Sequence, residues 1–131
     1  MSGSGKTVVM ADDMIENRLL IKGILERHGY VVFDAAGGED CLGLLSRVVP
    51  RLILLDVQMP DMSGFDVCRR IRMNAVFRHV PIAFVTSVKT LEQVQEGMAA
   101  GGNDFVVKPI REDKLLERVK YWTGRTLRDG A

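Results

Sequence analysis

The chain has 131 residues, 47% of them hydrophobic and 27% charged. That balance fits one globular domain of about 100–150 residues and excludes a disordered or fibrous chain. The 18 basic and 17 acidic side chains nearly cancel to a formal charge of +1, so no global field points to nucleic acid or an anionic membrane.

Met1–Gly5 reads as a flexible linker or cloning remnant and is set aside from the fold. From Lys6 onward short apolar runs alternate with helical patterns. Thr7–Ala11, Val31–Ala35, Leu52–Leu55, Ile82–Val85 and Phe105–Val107 are continuous or β-branched-rich runs, as strands buried on both faces of a parallel sheet require. Between them lie stripes at helical spacing: Leu20, Ile21, Ile24 and Leu25; Cys41, Leu44, Leu45 and Val48; Val67, Cys68 and Ile71; Leu91, Val94 and Met98; Leu115, Val119 and Trp122. Asp12 and Asp13 stand where N-caps of the first helix belong. Gly29, Pro50 and Gly101-Gly102 follow the first, second and fourth helices, where a stop is wanted. Five strand–helix repeats with short right-handed crossovers make a doubly wound α/β domain over 6–123. Residues 124–131 lose periodicity and read as a tail or the start of a linker.

No apolar run approaches the ~18 residues of a membrane span. Two cysteines are too few for a disulfide framework, lack metal-ligand spacing and lie on core stripes, so both are expected to be inert packing. No secretory segment opens the chain, and a reducing, cytoplasmic setting is expected. His28 extends the first helical stripe and is expected to pack at its end. Arg69-Arg70-Ile71-Arg72 reads as a solvated helix face, not a nucleic-acid contact.

In an open parallel sheet the site lies beyond the carboxyl ends of the strands. There the sequence places Asp12 and Asp13, Asp56, Thr86 with Ser87, and Lys108. Three carboxylates so placed need positive charge beside them. A hard divalent cation such as Mg²⁺ suits oxygen donors, and Lys108 suits a phosphoryl oxygen.

These motifs (Asp12-Asp13, the run from Leu54 to Gly64, Thr86-Ser87 and Lys108-Pro109) resemble the receiver domain of two-component response regulators, over about residues 6–122. The resemblance implies a flavodoxin-like fold, five parallel strands in the order 2-1-3-4-5 flanked by five helices. It implies that Asp56 accepts a phosphoryl group from a phosphohistidine. Asp13 and Asp56 would ligate Mg²⁺, with Asp12 acting largely through metal-bound water and the Gln58 backbone carbonyl completing the set. Lys108 would pair with the phosphoryl group, Thr86 would donate its hydroxyl to it, and Phe105 would be the aromatic switch. Lys108-Pro109 would be a cis peptide. The implied partners are a sensor histidine kinase or phosphotransfer protein and a downstream effector or output domain. A homodimer through the fourth helix, fifth strand and fifth helix is a candidate assembly. Such a domain is a phosphoacceptor that assists its own phosphorylation and dephosphorylation, not a free-standing enzyme.

Three positions depart from the common pattern. Ser87 stands for a small alanine, Phe105 for a tyrosine, and apolar Val88 flanks the pocket with Gln58. The competing class is a non-phosphorylated pseudo-receiver used for dimerisation or docking. Gly3-Ser4-Gly5-Lys6-Thr7 imitates a phosphate-binding loop but precedes a strand and lacks the earlier glycine. A dehalogenase-type phosphatase would need a second aspartate at Gln58. The linker-like start and the tail fit a domain excised from a larger protein.

Overall fold

The computed structural model describes residues 5–87 and 89–125. Val88, the first four residues of the linker and the tail from 126 onward lie outside the described residues. Five strands alternate with five helices: β1 Thr7–Ala11, α1 Ile15–Arg27, β2 Val31–Ala35, α2 Gly38–Leu45, β3 Leu52–Asp56, α3 Gly64–Arg72, β4 Ile82–Thr86, α4 Leu91–Ala99, β5 Asp104–Val107 and α5 Glu112–Thr123, with a 3-10 turn at Ala75–Phe77. The strands form one parallel sheet in the order β2-β1-β3-β4-β5. This is the fold and strand order that the motifs imply.

The alternation of side chains along each strand divides the core into two layers. Val9, Ala11, Ile53, Leu55, Ile82 and Phe84 face α2, α3 and α4. Val8, Met10, Leu52, Leu54, Ala83 and Val85 face α1 and α5. All five residues of β1, β3 and β4 are buried. The edge strand β2 is not buried on both faces as expected: Val31 and Phe33 are exposed on the outermost strand, which is paired to β1 on one side.

Other expectations need correction. Leu20 is exposed, and α1 packs through Ile21, Ile24 and Leu25 alone. α1 is capped at Met14, not at Asp12 or Asp13. Val48 lies beyond the end of α2 and packs against the core from there. On α4 the expected stripe fails outright: Leu91 and Met98 are exposed, Val94 is half-buried and the one buried helical residue is Gly97. A Cβ on Gly97 would lie 2.6 Å from Cζ of Phe105 and 3.0 Å from Cε2 of Phe84. The helix therefore rests on its own backbone against two aromatic rings, whose centroids are 5.3 Å apart. His28 is the exposed C-cap of α1 and faces Glu112. Cys41 and Cys68 are fully buried, and burial pushes their thiols up to about 12 and about 11, which supports the reading of inert packing.

Arg72 departs furthest from expectation. Its guanidinium turns inward from the end of α3. There Nε donates to the Gly101 carbonyl (2.9 Å), Nη1 to the carbonyls of Phe77 (2.7 Å) and Val80 (2.8 Å), and Nη2 to Oδ1 of Asn103 (3.0 Å). Asn103 Oδ1 also accepts from the Ile82 amide at the start of β4. Gly101 has φ of +107° and a Cβ there would lie 2.6 Å from the Arg72 side chain, so both its backbone and its neighbour require glycine. One planar fork thus joins the end of α3, the 3-10 turn and the α4–β5 connection. On the other face Asp104 Oδ2 accepts from Nε of Arg118 (2.6 Å) and Nε1 of Trp122 (2.8 Å), seating α5.

Removing the fork in Arg72→Ala leaves several acceptors without their donors, each costing about 1–3 kcal/mol where water cannot replace it. Urea unfolding is expected to show a loss of about 2–4 kcal/mol, of which Arg72→Lys recovers only part, because an ammonium cannot span the same acceptors. Gly97→Ala is expected to destabilise by about 1–2 kcal/mol, overpacking outweighing the gain of about 1 kcal/mol in helix propensity. The loss should shrink in a Phe105→Leu background, which removes the atom that clashes.

Candidate functional site

The parallel register brings the carboxyl ends of β1, β3, β4 and β5 side by side. Ala11 pairs with Leu55, Asp56 with Val85 and Thr86 with Val107, and the Lys108 amide donates to the Thr86 carbonyl at 2.8 Å. The next side chains in line are Asp12, Asp56, Thr86 and Lys108. Asp12, Asp56 and Thr86 are buried, Lys108 is half-buried, and Asp13 is exposed at the rim. All the residues expected at this edge are assembled there, with Ser87 exposed beside Thr86.

Lys108 Nζ lies 3.3 Å from Asp12 Oδ2 and 3.3 Å from Asp56 Oδ2. Asp56 has its carboxyl raised above the usual range by burial first and by the Asp12 charge next. Lys108 and the Gln58 amide, which donates to Asp56 Oδ1 at 3.2 Å, oppose the rise. Oxygens of Asp12, Asp13 and Asp56 all lie within 4.8 Å of one another. Asp12 Oδ2 is buried and, apart from its ion pair with Lys108, accepts no hydrogen bond. Such a set of hard oxygens, with one buried lone-pair face unused, fits a small divalent cation. Lys108 to Pro109 is a cis peptide. Asp13, Asp56, Met59, Thr86 and Lys108 line a cleft of about 520 Å³ that also takes in Met14, Asn17 and Gln58.

Two residues that hold this edge escape sequence reasoning. Arg18 Nη1 donates to the backbone carbonyl of Asp12 at 2.8 Å while its Nε pairs with Asp34 at 3.4 Å. Asp12 Oδ1 accepts from the Met14 amide at 2.9 Å and stands 3.4 Å from Asn17 Nδ2. The acidic turn is thus tied to the first turn of α1 and to β2. A helical arginine and a strand aspartate 16 positions apart carry no local signal that they meet.

Phe105 is buried, 8% exposed, with its ring already turned under α4 against Phe84 and the Gly97 backbone. Little of the ring is left to bury in this arrangement. Val88, expected to flank the pocket, lies outside the described residues.

The response regulator receiver domain family model matches residues 8–120. The response regulator PleD of Caulobacter vibrioides is 34% identical over 116 residues, 88% of this chain and 26% of PleD. The transcriptional regulatory protein AfsQ1 of Streptomyces coelicolor is 40% identical over 83% of this chain and 46% of its own length. The chain therefore spans less than half the length of these relatives. Among solved structures, the chemotaxis response regulator CheY4 of Vibrio cholerae superposes with a TM-score of 0.84 at 32% identity, covering 88% of this chain and 96% of that one. The receiver domain of the sensor histidine kinase PA1611 from Pseudomonas aeruginosa, with magnesium coordinated in its active-site cleft, gives 0.85 at 27% identity over 93% and 100%. With its parallel sheet, its buried acid cluster and a match across nearly its whole length, this chain belongs to the response regulator receiver domain family.

Proposed function

We infer that Asp56 is a phosphoacceptor that takes its phosphoryl group from a phosphohistidine on a sensor histidine kinase or phosphotransfer protein. The observation that carries this reading is the placement of Asp56. It is a buried carboxylate at the end of β3, 3.3 Å from the Lys108 ammonium and open to the cleft. A carboxylate oxygen attacks phosphorus, the P–N bond of the phosphohistidine breaks, and the bonding pair leaves with the imidazole. The nucleophile is already ionisable and needs no general base. Phosphoryl transfer asks for in-line positioning and for charge to be spread over the equatorial oxygens. Lys108 is within reach to follow one of those oxygens as Asp56 becomes an acyl phosphate, a mixed anhydride. Thr86, buried at the end of β4, would give its hydroxyl to another.

Asp12, Asp13, Asp56 and the Gln58 carbonyl would hold Mg²⁺, which when bound neutralises oxygen charge at the site. The partly exposed apolar group Met14, Ile15 and Leu19 beside the cleft offers the donor a surface to dock on. Phosphorylation adds roughly two negative charges at the edge next to α4, and the α4–β5–α5 face is where the change would be read. That face holds a cleft of about 500 Å³ lined by Phe105, Val106, Val107 and Pro109 and rimmed by Arg111, Lys114 and Arg118. Its apolar lining and basic rim suit an output domain or a second copy.

Incubation of the wild type with Mg²⁺ and a small phosphodonor should add a phosphoryl group, read by intact mass. Asp56→Asn should add none while melting as a folded protein, and persistent labelling at the wild-type level would refute the assignment. Asp13→Asn should melt no lower than wild type without metal, since it relieves carboxylate repulsion. It should lose the stabilisation that the wild type gains from Mg²⁺, about 2.7 kcal/mol at a hundredfold excess over Kd. An unchanged Mg²⁺ response would remove Asp13 from the ligand set.

A further inference from the structure

We propose that Asp61 is a positioning residue for the proposed metal and phosphoryl site: it pins the β3–α3 loop, and with it the Gln58 carbonyl, to the N-terminus of α2. The inference rests on the reading of the site given above.

α2 begins without a cap of its own. Its N-cap is Gly37, which has no side chain to offer, and its first helical residue is Gly38. Orphan amides at a helix start need acceptors. Asp61 supplies them from 23 residues away: Oδ1 accepts from the Gly38 amide at 3.0 Å and Oδ2 from the Glu39 amide at 2.9 Å, while Oδ1 also accepts from Met62 N–H at 3.0 Å. These donors hold the Asp61 carboxyl below the usual carboxylate range. The two glycines make the approach possible. A Cβ on Gly37 would lie 2.9 Å from Asp61 Oδ1, and one on Gly38 would lie 2.9 Å from Cβ of Met62 and 2.8 Å from Cγ2 of Val67.

The same loop is fixed at its base. The Gly64 amide donates to the Val57 carbonyl at 2.8 Å, and a Cβ on Gly64 would lie 2.3 Å from the Asp56 carbonyl oxygen. Between that base and the Asp61 tether run Gln58, Met59 and Pro60, the stretch that lines the cleft. Gln58 makes its own bond to Asp56 through its amide, so its peptide is bound on one side and its carbonyl is aimed by where the loop goes next. Asp61 decides that path. A capping carboxylate is worth far less to a helix of eight residues than to a loop that must hold a carbonyl within a few tenths of an ångström of a cation, the tolerance that metal sites demand.

The test is calorimetric Mg²⁺ titration well below the melting temperature of each protein. Asp61→Ala is expected to weaken Mg²⁺ binding about tenfold, the low end of what loss of an outer-shell partner costs. Asp61→Asn, which keeps one acceptor oxygen for Gly38, should fall between it and wild type. At saturating Mg²⁺, labelling of Asp61→Ala by a small phosphodonor should recover most of the wild-type rate, because the cation then holds the loop. Asn74→Ala is the control: it removes a side-chain cap of the 3-10 turn, the bond from the Val76 amide at 3.0 Å, at the opposite edge of the sheet. It should lower stability while leaving Mg²⁺ affinity unchanged. Wild-type affinity in Asp61→Ala overturns the inference, and so does a loss that Asn74→Ala reproduces. If Asp61→Ala does not fold, wild-type affinity in Asp61→Asn overturns it instead. A wild type that neither binds Mg²⁺ nor labels would instead sink the reading of the site itself.

Discussion

The ammonium of Lys108, held 3.3 Å from both Asp12 and Asp56, is the contact on which the carboxyl edge of this sheet depends. Three carboxylates meet there in a space where two are buried, and ionised groups so placed repel with little water between them. One ammonium cannot balance three charges. The edge is therefore held together yet left short of positive charge, which is the electrostatic condition that favours a cation there. A lysine suits this position better than an arginine would. It is a compact point charge on a flexible stem, able to share itself between two acids and to follow a third partner.

The strands could be read from the sequence because β1, β3 and β4 are buried on both faces, so that apart from Thr7 at the start of β1 they are apolar up to the Asp56 and Thr86 that end β3 and β4. The site was legible for the same reason: the first polar residue after each buried run is the one delivered to the edge. What sequence reasoning misread were places where a contact from elsewhere overrides the local pattern. Asp12 looked like a helix cap because an aspartate before an apolar stripe usually is one, yet its Oδ1 is drawn to the Met14 amide and Arg18 holds its backbone. Leu91 and Met98 follow helical spacing, but the helix turns Gly97 to the core because Phe105 and Phe84 fill the space where a side chain would go. Arg72 stood in a run of arginines that reads as solvated. Only the fold shows that the backbone carbonyls of three separate segments converge on it.

The inward ring of Phe105 alters how a signal could leave the site. If the ring were exposed at rest, its burial could drive the change. Here the space under α4 is already filled by the ring, so a redistribution of states would have to draw on contacts made elsewhere, as at the carboxyl edge. A ligand shifts a population only by what it contributes differently to the two states. In this structure the ring lies as a wedge between the Gly97 backbone and Phe84.

The attachment of α4 is uneven along its length. Near its C-terminal end Gly97 rests on two rings, Cys68 Sγ donates to the Ala100 carbonyl at 3.3 Å, and Arg72 grips Gly101. Near its N-terminal end Leu91 and Glu92 are exposed and Thr90 caps the helix from within its own turn. Mechanically this resembles a cantilever held most firmly at the far edge of the sheet, with its less buried end beside the site. At 1.5 Å per residue, nine helical residues make an arm of roughly 13 Å, and a pivot of about 10° would carry the tip about 2 Å. A pivot of that size would reshape the outer face of the helix without breaking any of its own hydrogen bonds.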